Sequence, residues 1–413
     1  MSSSNFRRMT ALLLLCALLA CASAPLRAQA DDWQVRVTPF NQVFPALELS
    51  QARPLHAQHA GASDENTLGN GSGLIALHLR ARHDHERVRV SITAPEWLSA
   101  PTRLEATLPR ADSDYELQPA LNWDIARLAA QSAALTATLE FTLERDGLDA
   151  GERKVGISLR PLNDALYFVR DGRDSVDLSW IFAAYVNEND VVVDRILDAA
   201  LQSGIVEKFT GYADGDAQQV LREAWAVWDA LAARGIRYSG ADPGVDRGPR
   251  VFSQHVRFLA DTWNDRSANC IDGSALLVSA LQRIGLRSFL ILMPGHAFVG
   301  FYTDADAQHA AYLETTLLGD RLALAQVTPD YADTPELAAA TRSSLASFDA
   351  ALRAGAARHA RNADKLDGRH RPDYAVIDIA AARGFGIQPI SIPQSADAAT
   401  AAPTFAPQAA NQR

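Results

Sequence analysis

The hydrophobic pattern of the chain changes its period near residue 165, and this change limits the folds that are available to it. Before that point, apolar and polar residues alternate in several short segments. These segments are 33–38, 77–80, 88–92, 135–143 and 155–159. Alternation with period two predicts strands with one buried face. Helical signals are sparse in this part of the chain, and the main one is at 123–130. Residues 31–165 are therefore predicted to form a β-sandwich with an immunoglobulin-like arrangement.

Beyond residue 165, apolar residues recur at helical spacing. Helices are predicted at 191–202, from Asp216 to Gly235, at 255–263, at 270–284 and at 335–361, with a loop at 240–250. A buried strand at 286–293 and a hairpin that joins 296–302 to 310–316 complete the pattern. The fold class is therefore α+β, with the β-sandwich followed by an α+β domain over 175–392. Residues 393–413 are mostly alanine, proline, glutamine and threonine, and we expect a disordered tail.

The first thirty residues have the features of a secretory signal. Arg7 and Arg8 form a charged start, residues 11–20 an apolar segment, and Ala28-Gln29-Ala30 a cleavage site of small residues. The apolar segment is too short to span a bilayer comfortably. We therefore expect a periplasmic or secreted protein.

A bacterial lipoprotein box competes with this interpretation. Leu18-Leu19-Ala20-Cys21 resembles such a box, with Cys21 as the lipidated first residue of an outer-membrane lipoprotein. The bulky Leu19 and the good cleavage site further on favour the simple signal. Attachment to a membrane is expected only if Cys21 is lipidated.

The charge balance of the chain bears on its partners. Removing residues 1–30 takes away three arginines and no acidic residue, so the formal net charge changes from −10 to −13. An acidic surface repels phosphate backbones, so a nucleic acid is not expected as a partner. The hydrophobic fraction of 48% suffices for substantial cores.

After removal of the signal the chain keeps one cysteine, Cys270. A lone thiol in an exported protein forms no intramolecular disulfide, so the fold must be held by its cores. The thiol is either a spectator that packs as a small hydrophobe or a reactive group. Its place at the start of a predicted helix, after the cap Asn269, favours reactivity, because unpaired N–H groups and the helix dipole stabilise a thiolate. Asp272 in the first turn is interpreted as a helix stabiliser, since a carboxylate there would oppose thiolate formation.

A reactive thiol needs a base and a group that orients the base. If the turn of the predicted hairpin is centred on Ala305, residues whose numbers sum to 610 face each other, and His296 then faces Glu314. Asp304 and Asp306 fall in the turn. The spacing therefore predicts Cys270, His296 and Glu314 as a catalytic triad.

The segments that carry these residues resemble the transglutaminase-like superfamily, whose fold is related to that of papain-like thiol enzymes. The sequence from Asn269-Cys270-Ile271-Asp272-Gly273-Ser274 to Gly285 resembles its nucleophile helix, 294–299 its histidine strand and 312–316 its acid strand. The resemblance implies that Cys270 is the nucleophile, His296 the base and Glu314 the orienting acid. Glutamate here is a departure, because aspartate is commoner at the acid position.

The segment at 254–258 resembles a stretch that often precedes the cysteine helix in bacterial members of the superfamily. Gln254 is therefore a candidate oxyanion donor, and capping or a buried hydrogen bond is the alternative role. The resemblance is strong over 250–320, weaker over 185–249 and absent before residue 165.

We therefore expect an exported cysteine-dependent acyl-transfer enzyme, of the protease, amidase or transglutaminase type, that acts on proteins or peptides of the cell envelope. The alternative is a catalytically inactive transglutaminase-like scaffold or surface-binding module. No metal or organic cofactor is implied. The pair Asp304 and Asp306 is too small for a calcium site, and His83-Asp84-His85 is interpreted as a solvated turn more readily than as a metal site.

Overall fold

The structure, a computed structural model, describes residues 32–51, 66–69, 71–240, 245–320, 322, 329–332 and 339–392. The predicted signal, Cys21 and the predicted tail at 393–413 lie outside these residues. The described chain is a mixed α+β protein with several sheets, which confirms the coarse fold class. Within these ranges, no helix combines the length and the apolar character that a bilayer crossing requires.

The elements are numbered in chain order. The strands of the first part are β1 Trp33–Val37, β2 Gln42–Val43, β3 Thr67–Gly69, β4 Ile75–Arg80, β5 Glu86–Thr93, β6 Thr102–Leu108, β7 Asp114–Gln118, β8 Leu135–Arg145, β9 Leu148–Leu159, β10 Asp164–Asp171 and β11 Asp174–Asp177. The later strands are β12 Arg237–Tyr238, β13 Val245–Arg247, β14 Val251–His255, β15 Ser267–Ala268, β16 Ser288–Met293, β17 His296–Tyr302, β18 Ala310–Leu313 and β19 Ala375–Asp378.

The helices are interspersed with these strands. The α-helices are α1 Pro45–Leu49, α2 Ile125–Ala129, α3 Val191–Gln202, α4 Ala217–Arg234, α5 Leu259–Asp265, α6 Cys270–Arg283, α7 Ala339–Asn362 and α8 Ile379–Gly384. Short 3-10 helices lie at Ser179–Tyr185, Thr315–Leu317 and Asp330–Ala332.

The first part of the chain forms two sheets. One has the strand order β1-β4-β7-β3, and the other has the order β2-β9-β8-β5-β6. Along β5, Val88, Val90 and Ile92 are buried and the residues between them are more exposed, as the alternating sequence predicts. Both sheets contribute to one hydrophobic core, with Leu77 from the first and Phe141 from the second. The strands predicted in this region are confirmed.

The region that follows residue 164 differs from the prediction. Helical periodicity was expected there, but β10 and β11 form a hairpin that turns at Gly172, where φ is +59°. The strand β10 also pairs with β14, so residues 251–255 extend into a sheet and the helix expected from residue 255 begins only at Leu259. Long-range strand pairing outweighs the local helical preference here.

The sheet that carries the candidate site has the order β18-β17-β16-β19, and its neighbouring strands are antiparallel. The turn between β16 and β17 uses Gly295 at φ +70°, a conformation that suits glycine. Helix α6 packs against β16 and β17. This packing brings the first residue of the helix towards the first residue of β17.

Helix α7 is anchored to the core by two tryptophans of α4. Trp225 and Trp228 are fully buried, and their Nε1–H groups donate to the hydroxyls of Ser344 at 3.1 Å and Ser347 at 2.9 Å. Buried indole N–H groups that find a partner fix the orientation of the ring. The anchored helix then runs along β18, next to the candidate site.

Candidate active site

Helix α6 begins at Cys270 because Asn269 caps it. The Oδ1 atom of Asn269 accepts hydrogen bonds from the backbone N–H groups of Ile271 and Asp272, both at 3.0 Å. The Asp272 carboxylate accepts in return from the N–H of Asn269 at 3.1 Å, which completes a capping box. The predicted cap is confirmed, and Cys270 occupies the first helical position.

Asp272 has the structural role that the sequence predicted. Its side chain is buried and also accepts a hydrogen bond from the backbone N–H of Arg257 at 2.9 Å, so it joins the helix start to the preceding segment. Burial raises the pKa of Asp272, and the hydrogen bonds that favour the carboxylate only partly offset this.

Cys270 is half-buried and lies at the edge of the main core. Its carbonyl oxygen accepts from the hydroxyl of Ser274 at 2.6 Å and from that of Thr315 at 3.3 Å. The two hydroxyls are 3.2 Å apart. The helix start is thereby tied to the segment that follows Glu314.

His296 links Cys270 to Glu314. The imidazole Nε2 lies 2.9 Å from Oε2 of Glu314, and because a carboxylate only accepts, Nε2 carries the proton. Cys270 adjoins the same imidazole, since a hydrogen bond with its thiol is among the causes that raise the pKa of His296. With Nε2 bonded to Glu314, Nδ1 is the ring nitrogen left for the sulfur. The side chains of His296 and Glu314 are 14% and 3% exposed, so their pairing is largely protected from water. The structure thus brings together the three residues that the sequence selected.

The register that predicted this pairing was wrong by two residues. In the structure Val299 pairs with Leu313 and Tyr302 with Ala310, so facing residues sum to 612 and not to 610. A shift of two preserves the face of the sheet, because side chains alternate with period two. Glu314 lies one residue beyond the end of β18 and still reaches His296. Asp304 lies in the turn, as predicted, where its carboxylate accepts from the N–H groups of Gln308 and His309.

The carboxylate of Glu314 has partners on both oxygens. Its Oε1 accepts from the hydroxyl of Thr316 at 2.9 Å, and its Oε2, which already bonds His296, lies 2.7 Å from Nε of Arg358. The backbone N–H of Glu314 donates to the carbonyl of Ala351 in α7 at 3.1 Å. Sequence reasoning missed Arg358, which lies in an alanine-rich helix with nothing in its local pattern that indicates a site.

These contacts shift the titration of the pair. Burial alone would lower the pKa of His296, but hydrogen bonds to Cys270 and Glu314 and the charges of both outweigh it and raise that pKa to about 9. Burial alone would raise the pKa of Glu314, but His296, Arg358 and Thr316 outweigh it and lower that pKa. At neutral pH the imidazole is therefore protonated and the carboxylate ionised.

The raised pKa of His296 predicts a pH-dependent contribution to stability. A group whose pKa rises on folding stabilises the fold fully below its ordinary value of 6.5, and this contribution disappears as the pH rises through about 9. We expect the difference in unfolding free energy between the wild type and His296→Gln to shrink by on the order of 2 kcal/mol between pH 6 and pH 10. Urea unfolding across this range measures it, and a difference that is constant with pH would contradict the shift.

Helix α7 supports the acid strand through a close approach at Gly355. A Cβ at this position would lie 2.5 Å from the carbonyl oxygen of Tyr312 and 2.9 Å from the backbone nitrogen of Leu313. The imidazole of His359 stacks on the ring of Tyr312 with centroids 3.9 Å apart and planes inclined by 14°. The position of Glu314 therefore depends on the fit between this helix and β18.

Gly355→Ala should disturb that fit, because backbone atoms cannot move aside as a flexible side chain can. We expect a loss of about 1–3 kcal/mol in the free energy of unfolding, typical of overpacking, together with reduced activity. Gly384→Ala is the matched control, since Gly384 is also helical and a Cβ there meets nothing within 4 Å. Urea unfolding of both variants checks this, and equal stabilities would contradict it.

The remaining predicted residues lie in other surroundings. The amide Nε2 of Gln254, in β14, donates to the carbonyl of His255 at 2.9 Å, and its oxyanion role stays a prediction. His83 is exposed in the turn between β4 and β5 and bonds Asp146 at 2.7 Å. Across the described ranges, no group of three or more histidine, cysteine or acidic side chains is placed to hold a metal.

Comparisons with known proteins add no family assignment. No protein-family model matches the chain, and a search of curated proteins finds no match either. The resemblance to the transglutaminase-like superfamily therefore stays a prediction that rests on the three motifs and on their order.

Proposed function

We propose that the chain is an exported cysteine-dependent acyl-transfer enzyme that acts on proteins or peptides. The observation that carries this proposal is the convergence of a half-buried thiol, an imidazole and a carboxylate from three separate elements, with the imidazole 2.9 Å from the carboxylate. Nucleophile, base and orienting group are the three parts that acyl transfer by a thiol requires.

The reaction would proceed in two steps. The Cys270 thiolate attacks the carbonyl carbon of a carboxamide or peptide bond, and the carbonyl π electrons move to oxygen. When the intermediate collapses, the C–N bond breaks, the imidazolium of His296 gives its proton to the leaving amine, and a thioester remains. Water or a second amine then attacks the thioester, His296 accepts its proton, and the C–S bond breaks to release the thiolate.

The surroundings of the triad support these roles. Glu314 keeps the Nε2–H of His296 directed away from the sulfur and stabilises the imidazolium. A helix that begins at the nucleophile and packs on an antiparallel sheet with the base and the acid is consistent with a transglutaminase-like, papain-like arrangement. The two sheets of the first part, in an immunoglobulin-like sandwich, would position protein partners.

The expected setting is the periplasm or the exterior of the cell. The secretory features of residues 1–30 and the acidic charge support a soluble exported enzyme with protein or peptide substrates. Attachment to the outer membrane would follow if Cys21 were lipidated.

The test is the detection of the covalent intermediate. Protein without residues 1–30 is mixed with an activated acyl ester, and the acyl group is located by peptide mass spectrometry. We expect a hydroxylamine-sensitive adduct on Cys270 that turns over in the wild type and does not form in Cys270→Ala. If Cys270 stayed unmodified in the wild type, an inactive scaffold or surface-binding module would be the better account.

A further inference from the structure

A cation of α7 lies against the buried acid of the site. Nε of Arg358 is 2.7 Å from Oε2 of Glu314, the same oxygen that accepts the hydrogen bond from His296 at 2.9 Å. The Nε atom of Arg358 is buried, yet its N–H is not aligned for a hydrogen bond. The attraction between the two groups is therefore one of charge more than of hydrogen-bond direction.

This cation is held in place by the packing of its helix. The tryptophans of α4 anchor the first turns of α7, the carbonyl of Ala351 accepts from the N–H of Glu314, and Gly355 lets the helix approach β18. Arg358 follows Gly355 by one turn, on the stretch of α7 that faces the end of the acid strand. The helix thereby places the guanidinium of Arg358 beside the carboxylate of Glu314.

The charge of Arg358 acts on the Glu314 carboxylate and, through it, on the imidazolium of His296. Without Arg358, the Glu314 carboxylate would attract the imidazolium more strongly, because its negative charge would not be partly offset by a second cation at Oε2. When the thiol is ionised and the imidazole protonated, their charges and those of Glu314 and Arg358 cancel. Without Arg358, the cluster carries a net negative charge, and each proton in it is bound more tightly.

We propose that Arg358 is a positioning residue of the site: it holds the Glu314 carboxylate in place and sets, by its charge, the pH range in which the thiolate and the imidazolium coexist. This inference rests on the proposed acyl-transfer function. It assigns to α7 a direct part in that chemistry, although the triad itself comes from α6 and from the hairpin of β17 and β18.

Two further titratable groups lie near Cys270, His296, Glu314 and Arg358. The first is Tyr238 in β12, whose pKa is affected by the charges of Cys270 and Glu314. His359, next to Arg358 in α7, stacks on Tyr312, and burial lowers the pKa of His359. The Tyr238 pKa lies above its ordinary value because of burial and of those two anionic charges, so the phenol is neutral over the range of interest.

The pH profile of thiol alkylation tests the proposal without a substrate. Cys270 is the one thiol left after removal of residues 1–30, so iodoacetamide reports on it alone. Arg358→Gln should move the midpoint of the alkylation rate to higher pH by about one unit, the lower end of what a nearby charge does. Arg358→Lys keeps the charge and should restore the midpoint of the wild type.

The matched control is Arg361→Gln, which removes an exposed cation from the same helix three residues further on and should leave the midpoint unchanged. A purely structural role for Arg358 would lower stability without moving the midpoint, and that result would overturn the proposal, as would a midpoint that shifts equally in Arg358→Lys. Failure of the proposed function looks different, because the wild-type thiol would then react no faster than a free thiol at any pH.

Discussion

Cys270→Ala is expected to abolish acyl transfer and to leave the fold intact. The thiol is the nucleophile of the proposed mechanism. When catalytic residues act as a unit, removing one of them lowers turnover by about 10⁴-fold or more. The loss in stability should stay within about 1 kcal/mol, because alanine is the best helix former and the first helical position tolerates it. The cap at Asn269 makes no use of the sulfur, so the helix start is preserved.

Turnover of an acyl ester or peptide substrate, together with urea unfolding, measures both parts of this prediction. Arg283→Ala is the matched control, since it changes an exposed residue at the other end of α6 and removes its exposed contacts with Asp194 and Asn189. Full turnover in Cys270→Ala would require another nucleophile and would end the proposed mechanism.

Glu314→Gln is expected to slow turnover by about 10²–10⁴-fold with a much smaller effect on KM. Glutamine has almost the same shape, but it has no charge to stabilise the imidazolium, and its amide can present N–H to His296 in place of an acceptor. The change also leaves Arg358 beside a neutral group, so we expect a loss of about 1–3 kcal/mol in the free energy of unfolding.

The matched control for this variant is Glu207→Gln. It neutralises an exposed carboxylate that is far in the sequence from the three triad residues. Initial rates over a range of substrate concentrations separate kcat from KM. An unchanged kcat in Glu314→Gln would remove Glu314 from the site, and a rise in KM alone would indicate a role in binding.

Local sequence rules were sufficient to predict where the nucleophile helix begins. Asn269 and Asp272 form a capping box whose residues are three positions apart in the chain, and such contacts depend on this spacing alone. The pairing of His296 with Glu314 was also predictable, because period-two alternation fixes the face of a strand even when the exact register is missed.

Contacts between segments that are distant in the chain could not be predicted from the sequence. The strand β14 at 251–255 pairs with β10, about ninety residues earlier, and with β13, which lies in the region predicted as a loop. Arg358 reaches Glu314 because α7 is anchored by Trp225 and Trp228, and no residue next to Arg358 indicates this. Tertiary packing decides such positions, and a single sequence does not specify them.

The most direct test of the central claim is the alkylation rate of Cys270 at pH 7 in the wild type and in His296→Ala. An imidazolium beside the sulfur favours the thiolate, so we predict that the wild-type thiol reacts about ten-fold or more faster than a free thiol and that His296→Ala loses this advantage. A wild-type rate equal to that of a free thiol, and unchanged in His296→Ala, would contradict the account.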